Sequence, residues 1–137
     1  MGFNVLIDGF TGDAETIYRF TVEEMERRRI EGVTFDYAEE VESKKLFRSG
    51  EKTRSLRVSY RFHRINVLAY QVGNSFVLSV RKTHSSEPEK AAILYDLLVT
   101  VFEVGVDRSA RRALARLLGE RNYSPLPPGL EPADVFF

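Results

Sequence analysis

The sequence predicts an α+β fold: an antiparallel sheet of about four or five strands, with an N-terminal helix and a C-terminal helical hairpin packed on one face. Three observations carry that expectation. Between residues 56 and 80, every second residue is apolar over several short runs, the period of strands with one buried face. Residues 91–106, AAILYDLLVTVFEVGV, are apolar at almost every position, as in a helix buried around most of its circumference. Nearer the N-terminus, Ala14, Ile17, Tyr18, Thr21 and Met25 recur at helical spacing.

Phe3 to Ile7 reads as the first strand, and DGFTGD (Asp8 to Asp13) as a glycine turn. The next segment has two readings. Thr11 or Asp13 caps a long helix carrying the stripe from Ala14 to Met25. Alternatively Thr21 caps a shorter helix, Glu24 completes a capping box, and residues 16–20 pair back as a strand. Both helices end near Gly32, a good C-terminal cap. Val33, Phe35 and Tyr37 then alternate with Thr34, Asp36 and Ala38 as a half-buried strand, which runs on through Glu39, Glu40 and Glu42 towards Leu46 and Phe47. RSGEK at 48–52 reads as a hairpin turn.

The next three strands can be registered against one another. Gly73-Asn74 has two-residue hairpin chemistry and pairs Val72 with Ser75. A second two-residue loop at His63-Arg64 would set Phe62 opposite Ile65 and Tyr60 opposite Val67. Val67 is placed opposite Leu78, and Ile65 opposite Val80. The predicted core face is Leu56, Val58, Tyr60, Phe62, Ile65, Val67, Ala69, Phe76, Leu78 and Val80.

Ser86 is placed to cap the next helix, with Pro88 in its first turn and Glu89 at its third position. Asp96, Thr100, Glu103 and Asp107 make one narrow polar stripe on it. The run is too short and too charged for a membrane span, so it reads as a core helix. Gly105 is expected to break it. A second helix then runs from Asp107 or Ser109 to about Arg121, with Leu114, Leu117 and Leu118 inward and Arg108, Arg111, Arg112 and Arg116 outward. Residues 1–123 read as a single domain. Residues 124–137 read as a proline-rich tail docked on the domain or on a neighbouring subunit.

Composition narrows function by exclusion. The chain has 137 residues, twenty basic and twenty acidic side chains, and no cysteine. Zero net charge supplies no long-range attraction to nucleic acid or anionic lipid. Without cysteine there is no thiolate nucleophile, thiolate metal ligand or disulfide, and a reducing, cytoplasmic setting is expected. The chain enters an apolar run at Phe3 with no secretory signal. Leu6 occupies the place where a myristoylation pattern needs serine or threonine. His63 and His84 fall in no metal spacing, and no nucleophile motif is present, so neither a catalytic set nor a cofactor is expected. Asp8 and Asp13 in the glycine loop match no recognised cation or phosphate motif and read as capping residues. Asp96 and Glu103 read as a buried carboxylate pair facing the arginines of the second helix.

Two candidate binding surfaces remain. The first is the sheet face opposite the core. There Arg57, Arg61 and Arg81 rim Leu68, Tyr70 and Val77, with Tyr70 expected between Arg57 and Val77, and Glu40 beside Arg61. The second is the helix face bearing Arg108, Arg111, Arg112 and Arg116. The leading expectation is a non-catalytic interaction or assembly module, self-associating through the outer sheet face or the tail. The alternative is nucleic-acid or anionic-ligand binding through the basic rim and the arginine helix.

Overall fold

The computed structural model describes residues 2–40, 53–85, 93–121 and 127–130. In chain order these form β1 (Gly2–Asp8), α1 (Ala14–Arg27), β2 (Val33–Glu40), β3 (Thr53–Tyr60), β4 (His63–Val72), β5 (Ser75–Ser85) and α2 (Ile93–Glu120). The fold is α+β. One antiparallel sheet has the order β1-β5-β4-β3-β2, so the first strand closes onto the last. The expected turn at 48–52, the Ser86 cap and the tail segments 122–126 and 131–137 lie outside the described residues.

The long-helix reading of the N-terminal segment holds. Asp13 is the cap: its carboxylate accepts from the Glu15 amide at 3.3 Å and from the Thr16 hydroxyl at 2.7 Å. That satisfies a donor the first turn would otherwise leave open. Ile17, Tyr18, Thr21 and Met25 are buried from this helix.

The Gly73-Asn74 turn pairs Val72 with Ser75 as expected, and that pairing by itself sets Val67 opposite Val80 rather than Leu78. The β3–β4 register does differ: Tyr60 pairs with His63 rather than Val67, a shift of four. The β3–β4 turn is Arg61-Phe62, not His63-Arg64, with Arg61 in the left-handed region at φ 54°. Because a strand repeats every two residues, an even shift leaves each side chain on its expected face. Leu56, Val58, Tyr60, Ile65, Val67, Ala69, Phe76, Leu78 and Val80 are accordingly all buried. Phe62 is the exception: in the turn it is exposed. His63 is buried in its stead, with Nε2 3.2 Å from the Tyr95 hydroxyl.

Both helices pack on this inner face. Phe102 of α2 lies 5.4 Å from the Tyr60 ring, and the Tyr18 hydroxyl of α1 reaches between β3 and β4. There the β3–β4 ladder ends at Leu56–Val67. Beyond it, Tyr18 donates to the Arg54 carbonyl at 2.8 Å and accepts from the Ala69 amide at 3.1 Å, standing in for a rung of the sheet.

The expected C-terminal hairpin is not present: a single helix runs from Ile93 to Glu120, straight through Gly105. The glycine has a packing role instead. A methyl there would sit 3.3 Å from Ile30 Cδ1 and 3.4 Å from Arg28 Cδ, so a residue without a side chain lets the end of α1 approach. Asp96 and Glu103 are not a buried pair either. Asp96 is exposed, and Glu103 accepts from Lys82 of β5 at 2.8 Å rather than from an arginine of its own helix.

Candidate interaction surface

Registration of five strands fixes what stands beside what on the outer face. One transverse row reads Arg81, Asn66, Arg57, Asp36 from β5 to β2. The next has Asn4, Ser79 and Leu68 on β1, β5 and β4, and the one after has Leu6, Val77 and Tyr70. Val72 stands beyond them at the end of β4. The outer face is thus apolar towards one end of β4 and β5 and polar or charged towards the other. Leu6 and Val72 are each 56% exposed, while Leu68, Tyr70 and Val77 are half-buried by their neighbours. A shallow hollow of about 410 Å³ lies over Asn66, Leu68, Val77, Ser79 and Arg81.

Of the predicted sheet-face residues, Arg57, Leu68, Tyr70, Val77 and Arg81 share this face, and Arg61 does not. Arg61 sits in the turn with its guanidinium 5.4 Å from the Tyr60 ring and 5.3 Å from the Tyr95 ring, turned towards the helices. Tyr70 has Val77 as its β5 neighbour, as expected, but Arg57 stands beside Asn66 rather than beside Tyr70. Glu40 pairs with Thr53 at the opposite end of β3 from Arg61, so the expected pairing of the two does not occur. The basic rim is also partly neutralised. Arg57 is bonded to Asp36 through both guanidinium arms. That contact, more than any other influence, holds the Asp36 carboxyl below the usual carboxylate range and raises Arg57.

The arginines of α2 are turned mostly into the molecule. Arg116 bonds Glu23 at 2.9 Å and Glu24 at 3.3 Å, and its guanidinium lies 3.9 Å from the Phe20 ring centroid. Arg112 lies 3.9 Å from Glu24. Arg111 bonds Asp107 and the Gly129 carbonyl and covers the Phe3 ring at 3.9 Å. Arg108 is exposed. The regular spacing of the four residues is therefore read by α1, β1 and residues 127–130 rather than left as a uniform basic stripe. Close by, burial first, and then Arg112 and Arg108, draw Arg28 below the ordinary guanidinium value.

No catalytic constellation assembles among the described residues. Asp8 accepts from the Ser75 hydroxyl at 3.0 Å and Asp13 caps α1, so both loop carboxylates have structural work. A hollow of about 450 Å³ between Gly12, Thr53, Tyr70 and Gln71 is walled by Glu15 and Arg54, but these bond each other at 2.7 Å. Among the described residues, no group of three or more histidines and carboxylates could hold a metal. No helix among them is long and apolar enough to cross a membrane. No family model matches the chain, and neither a curated protein nor a solved structure shows significant similarity to it.

One surface escaped the sequence reading. Ile93, Leu94, Leu97, Val101 and Val104 lie on the side of α2 turned away from the sheet and are between 46% and 81% exposed. An almost continuous apolar run implied burial all round. The usable signal was the run of intervals, three, four and three, from Leu94 to Val104, which singles out one face.

Proposed function

We propose that this chain is a non-catalytic interaction and assembly module, and that a second copy of the chain docks on its outer sheet face. The observation that carries the reading is the apolar set of Leu6, Leu68, Tyr70, Val72 and Val77 on a face over which no described element lies. The face is apolar at one end and charged at the other, where Arg81 stands across Asn66 from the Arg57–Asp36 pair, so a second copy has an apolar surface to bury and a polar border to orient it. A cysteine-free chain suits a reducing, cytoplasmic setting.

Light scattering over a concentration series tests this. A dimer is expected, with Leu68→Asp or Val77→Asp weakening it by roughly 30-fold or more, the effect of spoiling a central contact. Both side chains lie outside the core, so circular dichroism should not change. A monomer at every concentration, or a dimer indifferent to both substitutions, would overturn the reading. The anionic-ligand alternative stands second because Arg111, Arg112 and Arg116 already face carboxylates. Its mark would be oligonucleotide binding that weakens steeply with salt.

A further inference from the structure

Where α1 meets α2, guanidinium groups outnumber the carboxylates that face them. Among the described residues Glu24 is the buried carboxylate there, and Arg116 at 3.3 Å, Arg27 at 3.4 Å and Arg112 at 3.9 Å share it. Arg116 also bonds Glu23, and Arg111 bonds Asp107. Among the described residues, Arg28 and Arg108 are in no ion pair; Arg28 donates instead to the Ser109 hydroxyl at 3.3 Å, and its chain lies over Gly105. Arg108 and Arg112, one turn apart on α2, flank that serine, so three guanidinium groups gather at one place. Their repulsion is felt. After burial, the charges of Arg112 and then Arg108 draw Arg28 down, each by more than Glu24 draws it up.

Like charges held together on a helix surface weaken the fold, and an anion that joins them offsets that cost. A phosphate group offers three strong acceptor oxygens. Its geometry matches the guanidinium fork, which bonds it through paired N–H groups. Asp107, next to Arg108 in the chain, does not neutralise it, because Arg111 engages that carboxylate. Apolar surface adjoins the cluster. Val104 lies one turn and Val101 two turns before Arg108 on the same side of α2, and they are 46% and 55% exposed. An organic body carried by the phosphate meets them there.

We propose that Arg28, Arg108 and Arg112 bind the phosphate group of a small organic phosphate monoester, whose apolar body rests on Val104 and Val101. Ser109 is the positioning residue, holding the Arg28 guanidinium between the two helices. The site lies on the helix side of the sheet, so it is independent of what docks on the outer face.

Calorimetric titration of the full chain with phenyl phosphate tests this. Binding is expected, tighter than that of inorganic phosphate because of the apolar contact. Arg108 is exposed, so Arg108→Gln leaves the core intact and should weaken binding about tenfold or more, as should Arg28→Gln. Arg64→Gln, at an exposed arginine of the outer sheet face, should leave it unchanged. Arginine keeps its charge, whereas the ester takes up its second proton near about pH 6, so affinity should fall below that pH. No binding, binding indifferent to Arg108→Gln, or an equal loss with Arg64→Gln would overturn the site. Equal affinity for phosphate and phenyl phosphate would overturn the apolar contact. Capture by vesicles of phosphatidate in phosphatidylcholine, without binding of the soluble ester, would overturn the proposal in favour of a membrane surface.

Discussion

Two side chains show how single residues are set by what they touch. Asp36 is held below the usual carboxylate range by Arg57. A carboxyl whose folded value lies below its unfolded value of about 3.9 stabilises the fold fully above that pH. The contribution fades as pH falls through the folded value. The pair is surface-exposed, so it is worth about 1 kcal/mol at most. Asp36→Asn should therefore lower urea stability slightly at pH 7 and flatten the stability curve below about pH 4. Parallel curves for the two proteins in acid would count against this. Tyr18 acts where no solvent can substitute. Phenylalanine there keeps the ring but leaves the Arg54 carbonyl and the Ala69 amide without the hydroxyl between them. A loss of about 1–3 kcal/mol in chemical denaturation is expected. A loss below half that would show that β3 and β4 re-form the missing rung by themselves.

The pairing of the two helices rests on a buried acid. Glu24 is 3% exposed on α1 and faces Arg116 at 3.3 Å and Arg112 at 3.9 Å on α2, with Arg27 on its own helix at 3.4 Å. Glu24→Ala removes the centre of this group and takes from Arg27, Arg112 and Arg116 the buried carboxylate they share. A cost of about 2–3 kcal/mol is expected, measured by thermal or urea unfolding, from the lost charged hydrogen bonds. Glu23→Ala, which removes only the exposed contact to Arg116, should cost under about 1 kcal/mol. Equal effects would place the energy in Arg116 rather than in Glu24. Elements also mark the limit of sequence reading. Which residues of β3, β4 and β5 face the core was legible because alternation survives any even slip. The place of the β3–β4 turn was not, because Arg61-Phe62 carries none of the usual turn residues and Arg61 takes a left-handed conformation without being glycine. Gly105 looked like a helix end because local sequence cannot show that Ile30 and Arg28 cross there.

At the scale of the molecule, both helices lie on one side of one sheet. That asymmetry makes the sheet's second face the candidate surface, and sequence alternation located it. Five of the six predicted sheet-face residues stand together because parity fixed their side. Arg61 was lost with the turn. The arginine helix was legible as a pattern but not as a surface, since nothing in its spacing tells that Glu23 and Glu24 will meet it. The exposed half of α2 was hidden by its own apolarity. The closing of the sheet has one more consequence, in time rather than in space. β2 to β5 pair in sequence order, each with the next, so those contacts can form as soon as each strand is made. β1 is different: it precedes the other described strands, yet its strand neighbour among the described residues is β5, and the bond from Ser75 to Asp8 spans 67 residues. Closing that excursion carries the largest entropic cost in the sheet. On a ribosome, β1 must therefore wait for its partner until β5 leaves the tunnel behind it.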